Sequence, residues 1–270
     1  MSAAAYDPIA EAYRDSKRLP FRDVVESYTL FCLLGDLSGK ALLDLACGEG
    51  HYTRRLKRTG ASQAVGVDIS PRMIALANDT EAVNPLGCRY LVGDVQTLEL
   101  HERFDVITGI YLLNYASSKE MLLNMCRVVF AHLKPGGRFI GFNDNPGNAP
   151  KSYGNYAKYG FTKTTPENRR EGDTITYHIT NPDGSQFQFD NYFLHPATYR
   201  ACFAEAGFVS FSWQGPWLSP VGEKTFPARF WDDMLNDPPV IGLLAEKPTE
   251  SMHDDPLAQG CTASRDVNGN

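Results

Sequence analysis

The chain has 270 residues, 43% hydrophobic and 21% charged, the make-up of a soluble globular protein with one sizeable core. Its net charge of −6 disfavours a broad interaction with nucleic-acid phosphates, and no apolar run reaches the roughly 18 residues that cross a membrane. Cys32, Cys47, Cys88, Cys126, Cys202 and Cys261 form no C-x-x-C pair and read as reduced thiols of a cytoplasmic protein, with no close Cys/His spacing for a metal.

The start, "MSAAAYDPIAEAYRD", lacks the basic flank and apolar core of a secretory signal. Residues 1–39 read as a helical lid, "DPIAEAYRDS" and then "FRDVVESYTLFCLLGDL", covering an edge or mouth of the sheet that the next hundred residues build. From about residue 40 to 142, strand and helix signals alternate. "ALLDLA" is an apolar run suited to a buried strand, and "GHYTRRLKRT" is a helix that Gly60 ends. "AVGVDI" is the next strand; Ser70 then caps a helix with Pro71 at its first position. "CRYLVGDV" and "FDVITGIYLL" are two further strands. Ser117 and Glu120 make a capping box, followed by the helical stripe Leu122, Met125, Cys126, Val129 and Leu133. "KPGG" ends that helix before a fifth strand, "RFIGFND". This order implies parallel strands with right-handed helical crossovers.

Past residue 143 the alternation breaks. Residues 144–195 read as an insertion: a long loop, then the hairpin "DTITYHIT" and "SQFQFDNYFL" around "NPDG". "PATYRACFAEAGF" is a helix closed by Gly207, followed by the strand "VSFSW", an aromatic loop over 214–238 and a last strand "VIGLLAEK". Residues 248–270 are polar and expected to be disordered.

The run "LLDLACGEGHYTRRL" joins strand to helix through Cys47-Gly48-Glu49-Gly50, an edge where backbone N–H groups point outward and a ligand can approach closely. A Walker phosphate loop needs G-x-x-x-x-G-K-[ST], which the sequence lacks. A dinucleotide turn needs G-x-G-x-x-G; Gly48 and Gly50 fit, but Thr53 holds the last position, so hydride chemistry is weakly supported. S-adenosylmethionine is the third candidate.

"LLDLACGEG", "VGVDIS", "GDV", "FDVITGIYLL" and "LKPGGRF" occur in order and at the right intervals. With them the chain resembles the class I S-adenosylmethionine-dependent methyltransferases, well over residues 40–142 and loosely beyond. "YDPIAEAY" looks like the lid of small-molecule members, and "KRLPFR" with "YLLNYA" is loosely similar to methyltransferases of azapteridine (toxoflavin-type) biosynthesis. The usual first glycine of the turn is Ala46 here. The resemblance implies a Rossmann-like α/β fold, a three-layer sandwich around a mostly parallel seven-stranded sheet. The lid is then 1–39, the methyltransferase domain 40–247 and the substrate cap 144–195.

The resemblance gives each motif a role. Asp44 receives the ammonium of the methionine moiety, against a plainer role as a turn-capping acid. The turn residues Ala46, Gly48 and Gly50 let the donor approach. Asp68 accepts the ribose hydroxyls, against a plainer role as a helix cap. Asp94 takes the adenine amino group and Val95 offers its N–H. Ile69 and Met73 sandwich the adenine, although Met73 is equally a core residue. Tyr111 follows strand four, where methionine and acceptor meet. Tyr6 and Tyr13 share a helical face and are candidates to close over the cofactor, Tyr13 bonding its carboxylate; ordinary helix packing explains them equally well.

Methyl transfer is an in-line displacement that needs nucleophile, methyl and sulfur collinear and no metal. The acceptor pocket is expected at the C-terminal edge of the sheet. The aromatic surplus of the insertion suggests a flat, aromatic or heterocyclic acceptor, bound by Tyr153, His178, Tyr192 and Trp217 and methylated on N or O. His195 is the first candidate for a base, ahead of His178, with Asp144 a further one; a lone histidine is more often structural. Asn114 and Tyr115 are candidates to orient the acceptor. The alternatives are C-methylation of a hydrophobic natural product and a non-catalytic S-adenosylmethionine-binding module. Expected partners are a small-molecule methyl acceptor, no nucleic acid and no membrane, in a monomer or homodimer.

Overall fold

The computed structural model of the protein describes residues 7–249. Tyr6 and residues 250–270 of the polar tail lie outside the described residues. The lid segment runs through α1 (Ala10–Asp15), a 3-10 turn Ser16–Arg18, a π-helical turn Arg22–Ser27 and α2 (Tyr28–Leu34). The continuous helix expected over "FRDVVESYTLFCLLGDL" is therefore wound more widely in its first half. Its apolar residues Leu19, Phe21, Val25, Leu30 and Leu34 are buried.

β1 (Ala41–Leu45), α3 (His51–Arg58), β2 (Gln63–Asp68), α4 (Pro71–Val83), β3 (Cys88–Val92), β4 (Phe104–Ile110), α5 (Lys119–His132) and β5 (Leu133–Asp144) follow as the alternation predicted. The five strands are parallel and stand in the order β3-β2-β1-β4-β5. All five residues of β1 are buried, because helices cover both faces of a parallel sheet. Leu42 packs on the face toward the lid and α3, while Leu43 and Leu45 pack with Met125, Cys126 and Val129 of α5 on the other. Ser70 caps α4 by accepting the Met73 N–H at 3.1 Å. The cap of α5 is Ser118, one residue beyond the expected Ser117, and its Oγ accepts the Met121 N–H. "LKPGG" belongs to β5, with a register irregularity opposite Phe104 and Val106.

The insertion differs most from expectation. Residues Pro150–Tyr159 form a 3-10 helix, and β6 (Phe161–Thr164) pairs with β7 (Thr174–Thr180), which pairs with β8 (Gln186–Tyr192). The cap is thus a three-stranded antiparallel sheet, not a hairpin on a long loop. α6 (Pro196–Ala206) ends at Gly207, whose φ of +104° suits a left-handed C-terminal cap. β9 (Ser210–Gln214) is followed by two short helices, α7 (Pro220–Thr225) and α8 (Asp232–Asn236), in place of the expected aromatic loop. β10 (Val240–Glu246) enters antiparallel between β5 and β9 and completes the seven-stranded sheet. No helix among the described residues is long and apolar enough to cross a membrane.

Candidate functional site

After β1 the chain turns through residues 46–50 before α3. Gly48 (φ +56°) and Gly50 (φ +80°) are left-handed, which glycine adopts at little cost. Ala46, where the related motif has glycine, is also left-handed (φ +56°) and carries about 1 kcal/mol of strain. The Tyr90 ring seals the turn from below: a Cβ on Gly50 would lie 2.5 Å from its hydroxyl. Gly50 thus serves the packing of the turn and the start of α3, while Ala46 and Gly48 face the cleft.

Three acids stand at successive strand ends. Asp44 is buried, accepting from the Thr108 hydroxyl at 2.7 Å and the Thr53 hydroxyl at 2.6 Å. Burial pushes its carboxyl up to about 6, against the lowering pull of those hydroxyls. Asp68 accepts the N–H of Gly48 at 2.8 Å and that of Ser70 at 2.9 Å, so it ties the glycine turn to α4. Asp94 accepts the Gln96 N–H at 2.9 Å.

These acids open on two adjoining clefts along the C-terminal edge of β1–β4. The larger, about 610 Å³, is lined by Tyr13, Ala46, Gly48, Asp68, Ile69, Met73, Asp94, Val95, Tyr111 and Tyr115. The second shares Tyr13, Ala46 and Gly48 and adds Lys17, Asp44, Glu49, His51 and Tyr52. Burial, with Lys17 and Arg55 nearby, pulls His51 down to about 4, so its imidazole is neutral at pH 7.

Behind this edge lies a buried polar hub. The π-helical turn presents Arg22 and Glu26 one turn apart, 2.5 Å from each other. Glu26 also accepts from the Tyr52 hydroxyl at 2.5 Å and from the Tyr111 hydroxyl. Burial alone would raise the Glu26 carboxyl, but Arg22 and these donors hold it below the usual range. Tyr111 itself is left-handed (φ +61°), a strained placement fixed by this bond and by its edge-on contact with Phe142.

The cap meets the sheet through a second buried cluster. Asp144 accepts from the Lys163 ammonium at 2.9 Å and from the Tyr177 hydroxyl. Burial pulls Lys163 below its ordinary value, against the attraction of Asp144. Phe187, Phe189, Tyr177, Phe161 and Tyr156 form a column of near-parallel rings, and Tyr13 meets Phe187 and Phe189 edge-on. The aromatic surplus is therefore largely the core of the cap.

Of the residues named from sequence, Tyr13, Ala46, Gly48, Asp68, Ile69, Met73, Asp94, Val95, Tyr111 and Tyr115 meet at the first cleft, and Asp44 joins at the second. Others fall elsewhere. His195 is exposed and caps α6, its Nδ1 accepting the Ala197 N–H at 3.3 Å. His178 bonds Thr164 on the outer face of the cap, because Tyr177 and Ile179 on either side of it point inward. Trp217 lies in a separate surface groove with Tyr28, Cys32 and Leu235. Tyr153 is sealed in the cap, accepting from Arg169 and lying under Lys163, and Tyr192 sits at the end of β8 opposite Thr174. Asn114 is fully buried, its peptide N–H donating to Asn143 at 3.0 Å, and lines neither cleft. Asp144 is committed to the cap junction. Sequence reasoning missed Lys17, His51 and the Arg22–Glu26 pair. Lys17 had a signal, since it stands four residues beyond Tyr13 and so on the same helical face.

The lining is acid-rich: Asp44, Glu49, Asp68 and Asp94 against one cation, Lys17, among the described lining residues. The Gly48 N–H is taken by Asp68 rather than offered to a phosphate. This balance suits a cationic sulfonium nucleoside and repels a pyrophosphate. Asp68 and the apolar side chains of Ile69, Met73 and Val95 line the first cleft, and Asp44 lines the second. S-adenosylmethionine fits this set.

The family model described as a methyltransferase domain matches residues 42–137. A demethylmenaquinone methyltransferase of Tropheryma whipplei is 33% identical over 139 residues, which cover 50% of this chain and 55% of that protein. The chain thus spans about half the length of this curated relative. The CcbJ methyltransferase of Streptomyces caelestis superposes with a TM-score of 0.64 at 18% identity, over 92% of this chain and 99% of that one. An S-adenosylmethionine-dependent methyltransferase of Mesorhizobium loti gives 0.58 at 19% identity, over 82% and 97%. At such identities the two solved structures establish a shared fold, and the family model adds the sequence motifs along its first four strands. Residues 42–137 thus match a methyltransferase domain, set in a fold that the chain shares with S-adenosylmethionine-dependent methyltransferases.

Proposed function

We infer that the protein transfers a methyl group from S-adenosylmethionine to a nitrogen or oxygen of a small, flat aromatic or heterocyclic acceptor. The observation that carries this reading is the acid-lined cleft running from Asp94 past Asp68 to Tyr13, Tyr111 and Tyr115, where Tyr13 touches the aromatic column of the cap. When bound, the donor supplies an electrophilic methyl on a positively charged sulfur. Asp44 receives its ammonium, Asp68 its sugar hydroxyls, and Asp94 with the Val95 N–H its base. Tyr111 and Tyr115 form the wall toward the acceptor. Burial raises both phenols well above their ordinary value, so they stay protonated and serve as walls, not as bases; the Tyr111 hydroxyl proton is already given to Glu26. The residues thus orient the partners and exclude water, which accounts for much of the rate when the acceptor loses its proton easily. An aromatic acceptor is also in keeping with the name of the Tropheryma relative, a demethylmenaquinone methyltransferase.

The test is incubation of the protein and S-adenosylmethionine with a library of phenols, quinols and nitrogen heterocycles, read by mass. A gain of one methylene on members of one class is the expected result. Binding of the donor product with no methylated member would favour the non-catalytic module.

A further inference from the structure

We propose that Lys17 receives the carboxylate of the donor's amino-acid end, and that this contact docks the segment 10–18 over the cleft; the proposal rests on the reading of the cleft as an S-adenosylmethionine site. The amino-acid end is a zwitterion. Asp44, buried and held by two hydroxyls, answers its ammonium but cannot answer its carboxylate. A carboxylate in a cleft already bordered by Asp44 and Glu49 needs a cation. The other cations near this edge are committed: Arg22 to Glu26, and Arg55 to Asp23 and Ser27. His51 is neutral at pH 7, its value pulled down to about 4 by burial and by Lys17 and Arg55 beside it. Lys17 remains. Its ammonium stands 4.9 Å from the centre of the Tyr13 ring and 5.5 Å from that of Tyr52, and no carboxylate of the described residues lies within ion-pair distance of it. The two rings hold a half-buried cation in place without neutralising it.

The same geometry couples the donor to the lid. Lys17 lies in the 3-10 turn that follows α1, and the Ser16 hydroxyl donates to the Tyr13 carbonyl at 2.6 Å, tying that turn to the last turn of the helix. Tyr13 meets Phe187 and Phe189 of the cap, and the Asn181 amide donates to the Ala12 carbonyl at 3.1 Å. A carboxylate on Lys17 therefore ties α1 and the cap over the methyl-transfer end. Tyr13 becomes a shelf for the lysine instead of the carboxylate's own partner.

The experiment compares S-adenosylhomocysteine with 5′-methylthioadenosine, which keeps the nucleoside and thioether but lacks the amino-acid end. Titration calorimetry of Lys17→Met should show S-adenosylhomocysteine weakened about 10- to 100-fold and methylthioadenosine unchanged within about twofold, with Lys17→Arg recovering most of the loss. Hydrogen exchange in residues 10–18 of the wild-type chain should slow with S-adenosylhomocysteine and not with methylthioadenosine. An unchanged S-adenosylhomocysteine affinity in Lys17→Met, equal weakening of both ligands, or equal protection by both would overturn the proposal. A folded wild-type protein that binds neither ligand would overturn the reading of the cleft itself, a result distinct from any of these.

Discussion

The sheet edge and the cap junction hold buried acids in opposite ways. At the cap junction Asp144 is matched by the ammonium of Lys163, side chains 5% and 0% exposed, and the pair is sealed under tyrosine rings. At the sheet edge Asp44 is equally buried, yet its partners are two neutral hydroxyls, and Asp68 and Asp94 accept from backbone N–H groups. Hydroxyls and amides orient a carboxylate without cancelling its charge. A buried carboxylate held only by neutral hydroxyls costs stability, so Asp44 marks the place where a cation from outside belongs. The matched pair, by contrast, is architecture: it fixes the cap on the sheet.

The contrast can be broken most sharply at the cap. Lys163→Met leaves Asp144 buried with its charge unmatched and is expected to cost about 3–5 kcal/mol in urea unfolding, while the folded fraction keeps its S-adenosylhomocysteine affinity within about threefold. A collapse of donor affinity in that variant would mean that the two regions are not separable. Asp68→Ala should do the reverse. Calorimetry is expected to show S-adenosylhomocysteine weakened about 100-fold, whereas unfolding stability falls by only about 1 kcal/mol as the Gly48 and Ser70 N–H groups turn to water.

The pH dependence sharpens the role of Asp44. Only its ionised form attracts an ammonium, and burial places its value at about 6, so donor affinity should fall about tenfold between pH 7 and pH 5. Asp44→Asn should flatten that profile. The same shift acts oppositely on folding: a carboxyl raised in the folded state favours its protonated form, so its contribution to stability is present below about pH 4 and is lost as pH rises through about 6. Parallel pH profiles for binding and stability would contradict this assignment. The smallest effect is expected at His195, the histidine that sequence alone favours as a base. His195→Ser keeps a side-chain cap on α6 and should change stability by less than about 0.5 kcal/mol and leave methyl transfer unaltered, as assayed on any acceptor the library yields.

The two regions also differed in how far they could be read from sequence. The donor edge is built from short local units, each a strand, a turn and a helix cap, so Asp44, Asp68 and Asp94 could be placed by counting to the end of each apolar run. The cap is held by contacts between distant residues. β6 is only four residues long and finds its partner 12 or more residues away, and the Lys163–Asp144 pair spans 19 residues. No periodicity announces such pairings. The same limit misplaced His178, since two-residue alternation sends it outward once Tyr177 faces in, and Trp217, which the chain carries to another surface. Aromatic composition pointed to a flat acceptor, yet a stack of five of those rings turned out to be the cap's own core. Lys17 was hidden because a lone lysine on a surface helix is ordinarily solvated; only the convergence of Asp44, Glu49 and Tyr52 around it gives it meaning.

The central claim is that the acid-lined edge of the sheet binds a cationic sulfur nucleoside and refuses a pyrophosphate. Titrating the full-length protein with S-adenosylhomocysteine and, separately, with NAD tests it most directly. The account predicts one tight site for S-adenosylhomocysteine that Asp68→Ala weakens about 100-fold, and no saturable binding of NAD; tight binding of NAD with none of S-adenosylhomocysteine would contradict it.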